Sequence, residues 1–347
     1  MIDYLIVGAG LAGIAFAETA LQNQKTIQVI DSDMQNASKV AGGLYNPVIL
    51  KRFTPVWKAD EQLQLLDDFY TTIEAKLNTQ FDFKIPILRK FFSVEEQNNW
   101  FIASDKIGLS PFLSLKLITT KFEGIDSPFD YGEVNHTGYV DVAALLDSYK
   151  SYLNDKQLLL KEVFSHHAIK INGASIQYKN IEAKHIVFAE GFSMTSNPFF
   201  SDLPLDGAKG ELLLIKAPNL KLDVIINTSI FMLPLGNDIF KVGSTYNWTD
   251  KSNAPTQEGK QELLDKLQEI LTCDFEVISH YAGIRPTVKD RKPLVGTHSV
   301  YERVHVLNGL GSRGVMLGPA MAKELFENIE LGTPLSPEVN INRFYKK

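Results

Sequence analysis

The chain opens on an apolar run, Tyr4-Leu5-Ile6-Val7, that breaks directly into Gly8-Ala9-Gly10-Leu11-Ala12-Gly13. No other feature restricts the fold as much, because a G-x-G-x-x-G turn after a strand answers three separate steric needs. The glycines let the backbone turn tightly, approach a pyrophosphate, and pack the next helix closely on the sheet. The pyrophosphate then rests on the positive N-terminus of that helix. The surrounding residues complete the unit. Ile14 to Leu21 continues as a helix, Ile27-Gln28-Val29-Ile30-Asp31 reads as a second strand, and Asp31 falls where a ribose-binding carboxylate belongs, with Ser32 beside it. A glycine-rich turn in some other α/β unit is the alternative, and these parts together weigh against it. The chain is expected to bind a dinucleotide.

The 347 residues, 44% of them hydrophobic, exceed what one core organises, so two lobes are expected. The formal net charge of −6 supplies no global basic field for nucleic acid or an acidic membrane surface. Either partner would need a local patch. The single cysteine, Cys273, excludes an internal disulfide and a multi-cysteine zinc site, and fits a reducing, cytoplasmic setting. Asp3 stands where a signal peptide would carry basic residues, and no apolar run approaches membrane-spanning length, so no membrane contact is expected.

Along the chain the periodicity changes repeatedly. Trp57, Leu63, Leu66, Phe69, Tyr70 and Ile73 recur at helical intervals from about 56 to 77. Residues 81 to 92 are rich in β-branched and aromatic types, with Pro86 at an edge or bulge. A helix follows from Tyr139, Asp141 being its N-cap, then short strands at 157–162, 167–171 and 175–178, ending in His185-Ile186-Val187-Phe188-Ala189-Glu190-Gly191. Strands and turns fill 210–245, a polar loop 252–259, a helix 262–271, strands 277–282 and 304–307, and a last helix 315–329. This order predicts a mixed α/β fold: a Rossmann-type dinucleotide domain of 1–78, 138–202 and 278–347, interleaved with an antiparallel-sheet substrate domain of 79–137 and 203–277.

A second G-x-G-x-x-G lies near the C-terminus in Asn308-Gly309-Leu310-Gly311-Ser312-Arg313-Gly314-Val315. Only one helix and a tail with Gly332-Thr333-Pro334 follow, so no later strand can bring a second ribose carboxylate. The loop must serve the first cofactor. A helix N-terminus aimed at a flavin stabilises negative charge at the pyrimidine edge of the ring on reduction. That assigns FAD rather than NAD. Cys273 follows a helix far from both loops, so the flavin is expected to be held non-covalently.

Five segments together resemble the D-amino-acid oxidase and glycine oxidase family of flavoproteins. They are Gly8–Gly13 with Asp31, the stretch from Ser38 through Ala41-Gly42-Gly43-Leu44-Tyr45 to Asn46, Phe188 to Gly191, Gly283-Ile284-Arg285-Pro286 onward to Gly296, and Gly309–Gly314. The resemblance covers essentially the whole chain in the right order. Within that family, Gly43-Leu44-Tyr45-Asn46-Pro47 and Asn308 to Gly314 are similar to the flavin-binding half of bifunctional enzymes that modify the tRNA wobble uridine. The methyltransferase half of those enzymes has no counterpart here, and the negative charge departs from them.

The resemblance implies oxidation of a C–N bond. Hydride leaves a carbon bearing an unprotonated amine for the flavin, and the imine hydrolyses in water. The protein's share is orientation and electrostatics. Arg285 matches the position whose guanidinium grips a substrate carboxylate, a task suited to its planar fork; a salt bridge at the lobe interface is the alternative. Tyr246, at a strand end, covers the flavin or bonds the substrate, or simply packs. Tyr45 lies near the ring by family position or bridges the lobes. Arg313 serves the ring, a second substrate anion, or solvent. The implied cofactor contacts also include Val163, Ala189, Glu190, Gly191 and Arg285 itself.

Lys51, Arg52, Lys58, Arg89, Lys90, Lys289, Arg291 and Lys292 could form a basic surface around the pocket or a solvated face. The histidines show no metal spacing, and no Ser-His-Asp arrangement stands out. The leading expectation is an FAD-dependent oxidase or dehydrogenase for a small amine carrying a carboxylate. An enzyme for a carboxymethylaminomethyl-type uridine in tRNA is the second. A non-enzymatic or partner-dependent flavoprotein, with Arg285 turned away from the flavin, is the third.

Overall fold

The computed structural model describes residues 1–33 and 37–345. Its first sheet has five parallel strands in the order Leu159–Lys161, Ile27–Asp31, Ile2–Val7, Ile181–Phe188 and Val304–Asn308. The hairpin Ile169–Asn172 and Ser175–Tyr178 pairs with the first half of Ile181–Phe188, leaving its second half to Val304–Asn308. Alternation along Ile2–Val7 sends Tyr4 and Ile6 to one face and Leu5 and Val7 to the other. Both faces are covered, which is why the strand reads as an unbroken apolar run. The helices Leu11–Gln22, Ala59–Leu77, Val142–Asp155 and Gly314–Leu331 pack on the Tyr4 face, while Phe164, Met194 and Phe200 close the other.

The second sheet runs Glu276–Val288, Leu205–Lys216, Ile239–Gly243, Phe231–Gly236, Ile225–Asn227, Ile87–Lys90, Tyr131–Val134 and Leu113–Ile118. All neighbours are antiparallel except Ile225–Asn227 beside Ile87–Lys90. Leu263 and Leu267 of the helix Gln257–Gln268 bury against Leu213, Ile215 and Val242 on its back. A small sheet of Leu44–Tyr45, Gly138–Val140 and Asp82–Lys84 stands apart from both.

Several boundaries differ from the expected ones for local reasons. Glu276–Val288 pairs with Leu205–Lys216 from Leu205↔Val288 to Lys216↔Glu276, so it crosses the division expected at 277/278. Gly283 and Pro286 interrupt its apolar pattern without ending the strand. The helix Gln257–Gln268 starts inside the expected polar loop, because Thr256 Oγ1 caps it by accepting from the Gly259 N–H at 3.0 Å. Asp141 caps Val142–Asp155 as expected, its carboxylate accepting from the Ala144 N–H at 3.1 Å. Among the described residues no helix is long and apolar enough to cross a membrane. No group of three or more His, Cys, Asp or Glu side chains is placed to hold a metal there.

Candidate active site

Gly8 leaves the first strand at φ +100°, and a Cβ there would stand 2.5 Å from the Ala189 carbonyl oxygen. A Cβ on Gly13 would stand 1.8 Å from the Gly8 oxygen, so the helix Leu11–Gln22 can seat on the sheet only with glycine there. The C-terminal loop docks onto this one: Gly314 lies so close to Leu11 that its Cβ would meet Leu11 Cδ1 at 2.9 Å. Neither Leu11–Gln22 nor Gly314–Leu331 has a side-chain N-cap. Two helix N-termini therefore open onto one cavity, the Leu11 N–H of the first donating to Ser38 Oγ at 3.4 Å.

That cavity measures about 620 Å³ and gathers nearly all the residues singled out from the sequence. Gly8, Ala9, Gly10, Leu11 and Ala12 form one wall with Asp31, Ser32 and Ser38; Ala41 to Tyr45 form another. Val163 and Ala189 to Gly191 line the first-sheet end, and Gly311 to Val315, Arg285 and Tyr246 the opposite end. Gly13 and Gly309 do not reach it. Gly13 serves helix–strand packing, and Gly309, at φ +71°, serves a turn crowded by Val288 and Leu294.

Asp31 is held from two sides. One carboxylate oxygen accepts from the Ala9 N–H at 3.1 Å and the other from Lys150 Nζ at 2.6 Å. Further along, His166 Nε2 lies 3.0 Å from a Glu190 oxygen, whose partner oxygen accepts from Asn197 at 2.6 Å.

At the opposite end Arg285 projects over Gly210, where a Cβ would sit 1.9 to 2.3 Å from guanidinium atoms. Its Nη1 donates to the Thr245 carbonyl at 3.3 Å, and its Cζ lies 4.4 Å from the centre of the Tyr246 ring. Burial lowers its pKa from the ordinary value, and among the described residues no acid pairs with it. The interface salt bridge is thus not formed. Arg313 is likewise desolvated, with Tyr246 and Arg291 the groups whose charge it feels. Tyr45 is 3% exposed and its hydroxyl donates to Asp82 Oδ1 at 2.9 Å. Burial pushes that phenol far up, so Tyr45 is a wall of the cavity and its proton is committed to Asp82.

The expected basic surface is partly dissolved. Arg89 pairs with Glu96 of the helix Val94–Ser104 and with Asn227 and Thr228 at the end of the strand Ile225–Asn227, and Lys90 is buried over the Phe92 ring. Lys58 and Lys292 instead flank Trp57 at 5.0 and 4.4 Å, and Arg291 covers Trp248 at 5.0 Å. Sequence reasoning missed Lys150, Gly210, His166, Asn227 and Phe231, all cavity-lining. Only Gly210 carried a signal, a glycine just before the apolar run that begins at Leu212.

Paired glycine loops, two helix N-termini and an acid after the second strand fit an FAD: its pyrophosphate meets the positive helix ends, and the glycines admit its close approach. These features define a flavin-dependent oxidoreductase. The chain belongs to the DAO family of FAD dependent oxidoreductases, whose sequence profile matches residues 3–328. FAD is its cofactor. It is 26% identical over 210 residues to glycine oxidase of Bacillus subtilis, a match spanning 56% of each chain. It is 27% identical over 208 residues to the tRNA 5-methylaminomethyl-2-thiouridine biosynthesis bifunctional protein MnmC of Marinobacter nauticus, covering 54% of this chain and 32% of that one. The chain thus spans about half the length of the first and a third of the second. The fold matches iminodiacetate oxidase from Chelativorans sp. BNC1 with a TM-score of 0.77, at 16% identity and 96% coverage of both chains.

Proposed function

We propose that the chain oxidises the C–N bond of a small amine carrying a carboxylate. One observation carries this reading: the desolvated guanidinium of Arg285, a partly buried residue, lines the cavity, and no acid among the described residues pairs with it. A desolvated cation of that kind is costly unless an anion completes it, and a carboxylate matches its fork bidentately. Gly8 to Ala12 and Asp31 hold the adenosine and pyrophosphate half of FAD, and Gly311 to Val315 the ring. Bound FAD supplies the acceptor for hydride leaving the carbon beside the amine, while the nitrogen lone pair forms a C=N bond that water later hydrolyses. Arg285 fixes the carboxylate, and the Tyr246 ring shields that contact from water. Residues 1–78, 138–202 and 289–347 form the FAD unit in this reading, with the Glu276–Val288 strand joining 79–137 and 203–277 in the substrate unit. A reducing, cytoplasmic setting accords with the single cysteine.

The test is anaerobic bleaching of the flavin by a panel of amino acids, N-substituted amino acids, and amines lacking a carboxylate. Amino acids are expected to bleach it. Bleaching only by amines without a carboxylate overturns the reading.

A second reading, a carboxymethylaminomethyl-type uridine of tRNA, is supported by the cations stacked on Trp57 and Trp248 and by the likeness to MnmC. Aromatic and basic side chains together suit single-stranded nucleotides. Binding of modified tRNA would weaken steeply with salt, whereas a small amino acid held by one arginine would respond little.

A further inference from the structure

Lys209, Gly210 and Glu211 are consecutive on the strand Leu205–Lys216, so their side chains alternate between its faces. The open face of Gly210 carries the Arg285 guanidinium. Lys209 and Glu211 point the other way and are 0% and 2% exposed. Both are engaged with one segment, Thr245 to Thr256, which follows the strand Ile239–Gly243 and carries Tyr246. The Lys209 ammonium donates to Asp250 Oδ2, to the Ala254 carbonyl, and to Ser252 Oγ at 3.2 Å. The Glu211 carboxylate accepts from the Thr256 N–H at 2.9 Å and the Thr256 hydroxyl at 2.7 Å. Between those anchors the Lys209 main chain exchanges two hydrogen bonds with Asn247, at 2.8 and 2.9 Å, and the Glu211 N–H donates to Thr245 Oγ1 at 2.9 Å.

Tyr246 is thus fixed through its two chain neighbours, while the residue itself is 53% exposed. A wholly buried lysine is an expensive way to stabilise a sheet, since an apolar side chain there serves stability as well or better. Its polar partners lie on the loop, apart from Glu211 Oε1 at 3.7 Å, and it holds Asp250 well below the usual carboxylate range.

We propose that Lys209 is a positioning residue: by tethering Asp250 and the loop around it, Lys209 keeps the Tyr246 ring over Arg285 and so sets the affinity for the substrate carboxylate. This rests on the carboxylate-anchor reading of Arg285. Asp250, whose side chain is 30% exposed, is varied alongside Lys209→Met, because Asp250→Ala alone leaves a buried ammonium without its carboxylate whereas Lys209→Met removes the charge as well.

The experiment uses FAD-loaded protein with acetate as probe, its Kd read from the shift in flavin absorption. Asp250→Ala is expected to raise that Kd about fivefold or more at unchanged flavin content, and Lys209→Met to match it. In a Tyr246→Ala background the Asp250→Ala change should add less than about twofold, because the ring it places is gone. Wild-type affinity in Asp250→Ala, or an equal loss with and without Tyr246, overturns the positioning role. Equal acetate binding by wild type and Arg285→Ala overturns the anchor reading itself, and this role with it.

Discussion

The guanidinium carbon of Arg285 lies 4.4 Å from the centre of the Tyr246 ring, and the same group fills the space that Gly210 leaves by having no side chain. One strand supplies the cation, its neighbour the vacancy, and a loop the cover. An arginine held this way keeps its fork turned to the cavity, since stacking occupies its face and leaves its N–H edge to donate to an anion.

Arg285→Ala should therefore raise KM for a carboxylate substrate by a factor corresponding to about 1.5–3 kcal/mol, the worth of a charge-assisted pair. Flavin content should not change, because the guanidinium's hydrogen bond goes to the Thr245 carbonyl and its face to the Tyr246 ring. Steady-state kinetics with the compound that bleaches the ring, alongside the visible spectrum, check both halves. An unaltered KM eliminates the clamp.

Gly210→Ala is a finer probe of the same geometry. The added methyl would stand 1.9 Å from Arg285 Nη2, and the end of a flexible side chain yields more easily than backbone. The fold should lose about 1 kcal/mol or less while the anchor is displaced, raising KM about tenfold or more. Thermal melting and kinetics on one preparation separate the two effects. A large fall in Tm with normal KM would mean that the guanidinium, not the backbone, is the rigid party.

The sequence made the cofactor half of this site legible and the substrate half only partly so. Gly8 and Gly13 are readable because steric demand within a single βαβ unit dictates them, and the unit is local in the chain. Arg285 was reached through the family resemblance, since nothing in Gly-Ile-Arg-Pro says which way the side chain points. Lys150 was out of reach: its partner Asp31 lies 119 residues away, and a lysine on an amphipathic helix looks like any solvated one. Arg89 and Lys90 show the converse error. Adjacent in sequence to other cations, they point along opposite faces of a strand, Arg89 to Glu96 and Lys90 into the sheet's apolar side. The strand Glu276–Val288 was cut short because Gly283 and Pro286 are read as punctuation, whereas pairing along Leu205–Lys216 carries the strand through them.

Asp31 and Lys150 together predict a graded loss of cofactor. Asp31→Ala removes both the proposed ribose acceptor and the partner of the Ala9 N–H, so flavin retention after dialysis should fall about tenfold or more. Lys150→Ala removes a neighbour that only orients the carboxylate, and should weaken retention about two- to fivefold. Flavin per chain after extended dialysis reads out both variants. Full retention in Asp31→Ala would take the carboxylate out of the ribose site.

The pair His185 and His305 predicts a pH-dependent stability unrelated to catalysis. Their ring nitrogens lie 3.0 Å apart, and His305 is also 2.9 Å from the Thr297 hydroxyl. Burial, with Arg303 nearby, pulls His185 down to about 4, and burial pulls the enclosed His305 well below its ordinary value. In the unfolded chain both titrate near 6.5. As pH falls below that, the unfolded state takes up protons that the folded pair refuses, so the equilibrium shifts toward unfolding. This contribution to stability is complete above pH 6.5, declines as pH falls toward 4, and is lost as the folded pair itself titrates. Between pH 7 and 4.5 the Tm should drop by about 5 °C or more from this pair. In His185→Gln, which cannot charge, the decline should be visibly shallower. Differential scanning calorimetry of the two proteins across that range decides the matter, and parallel curves would assign the whole decline to other groups.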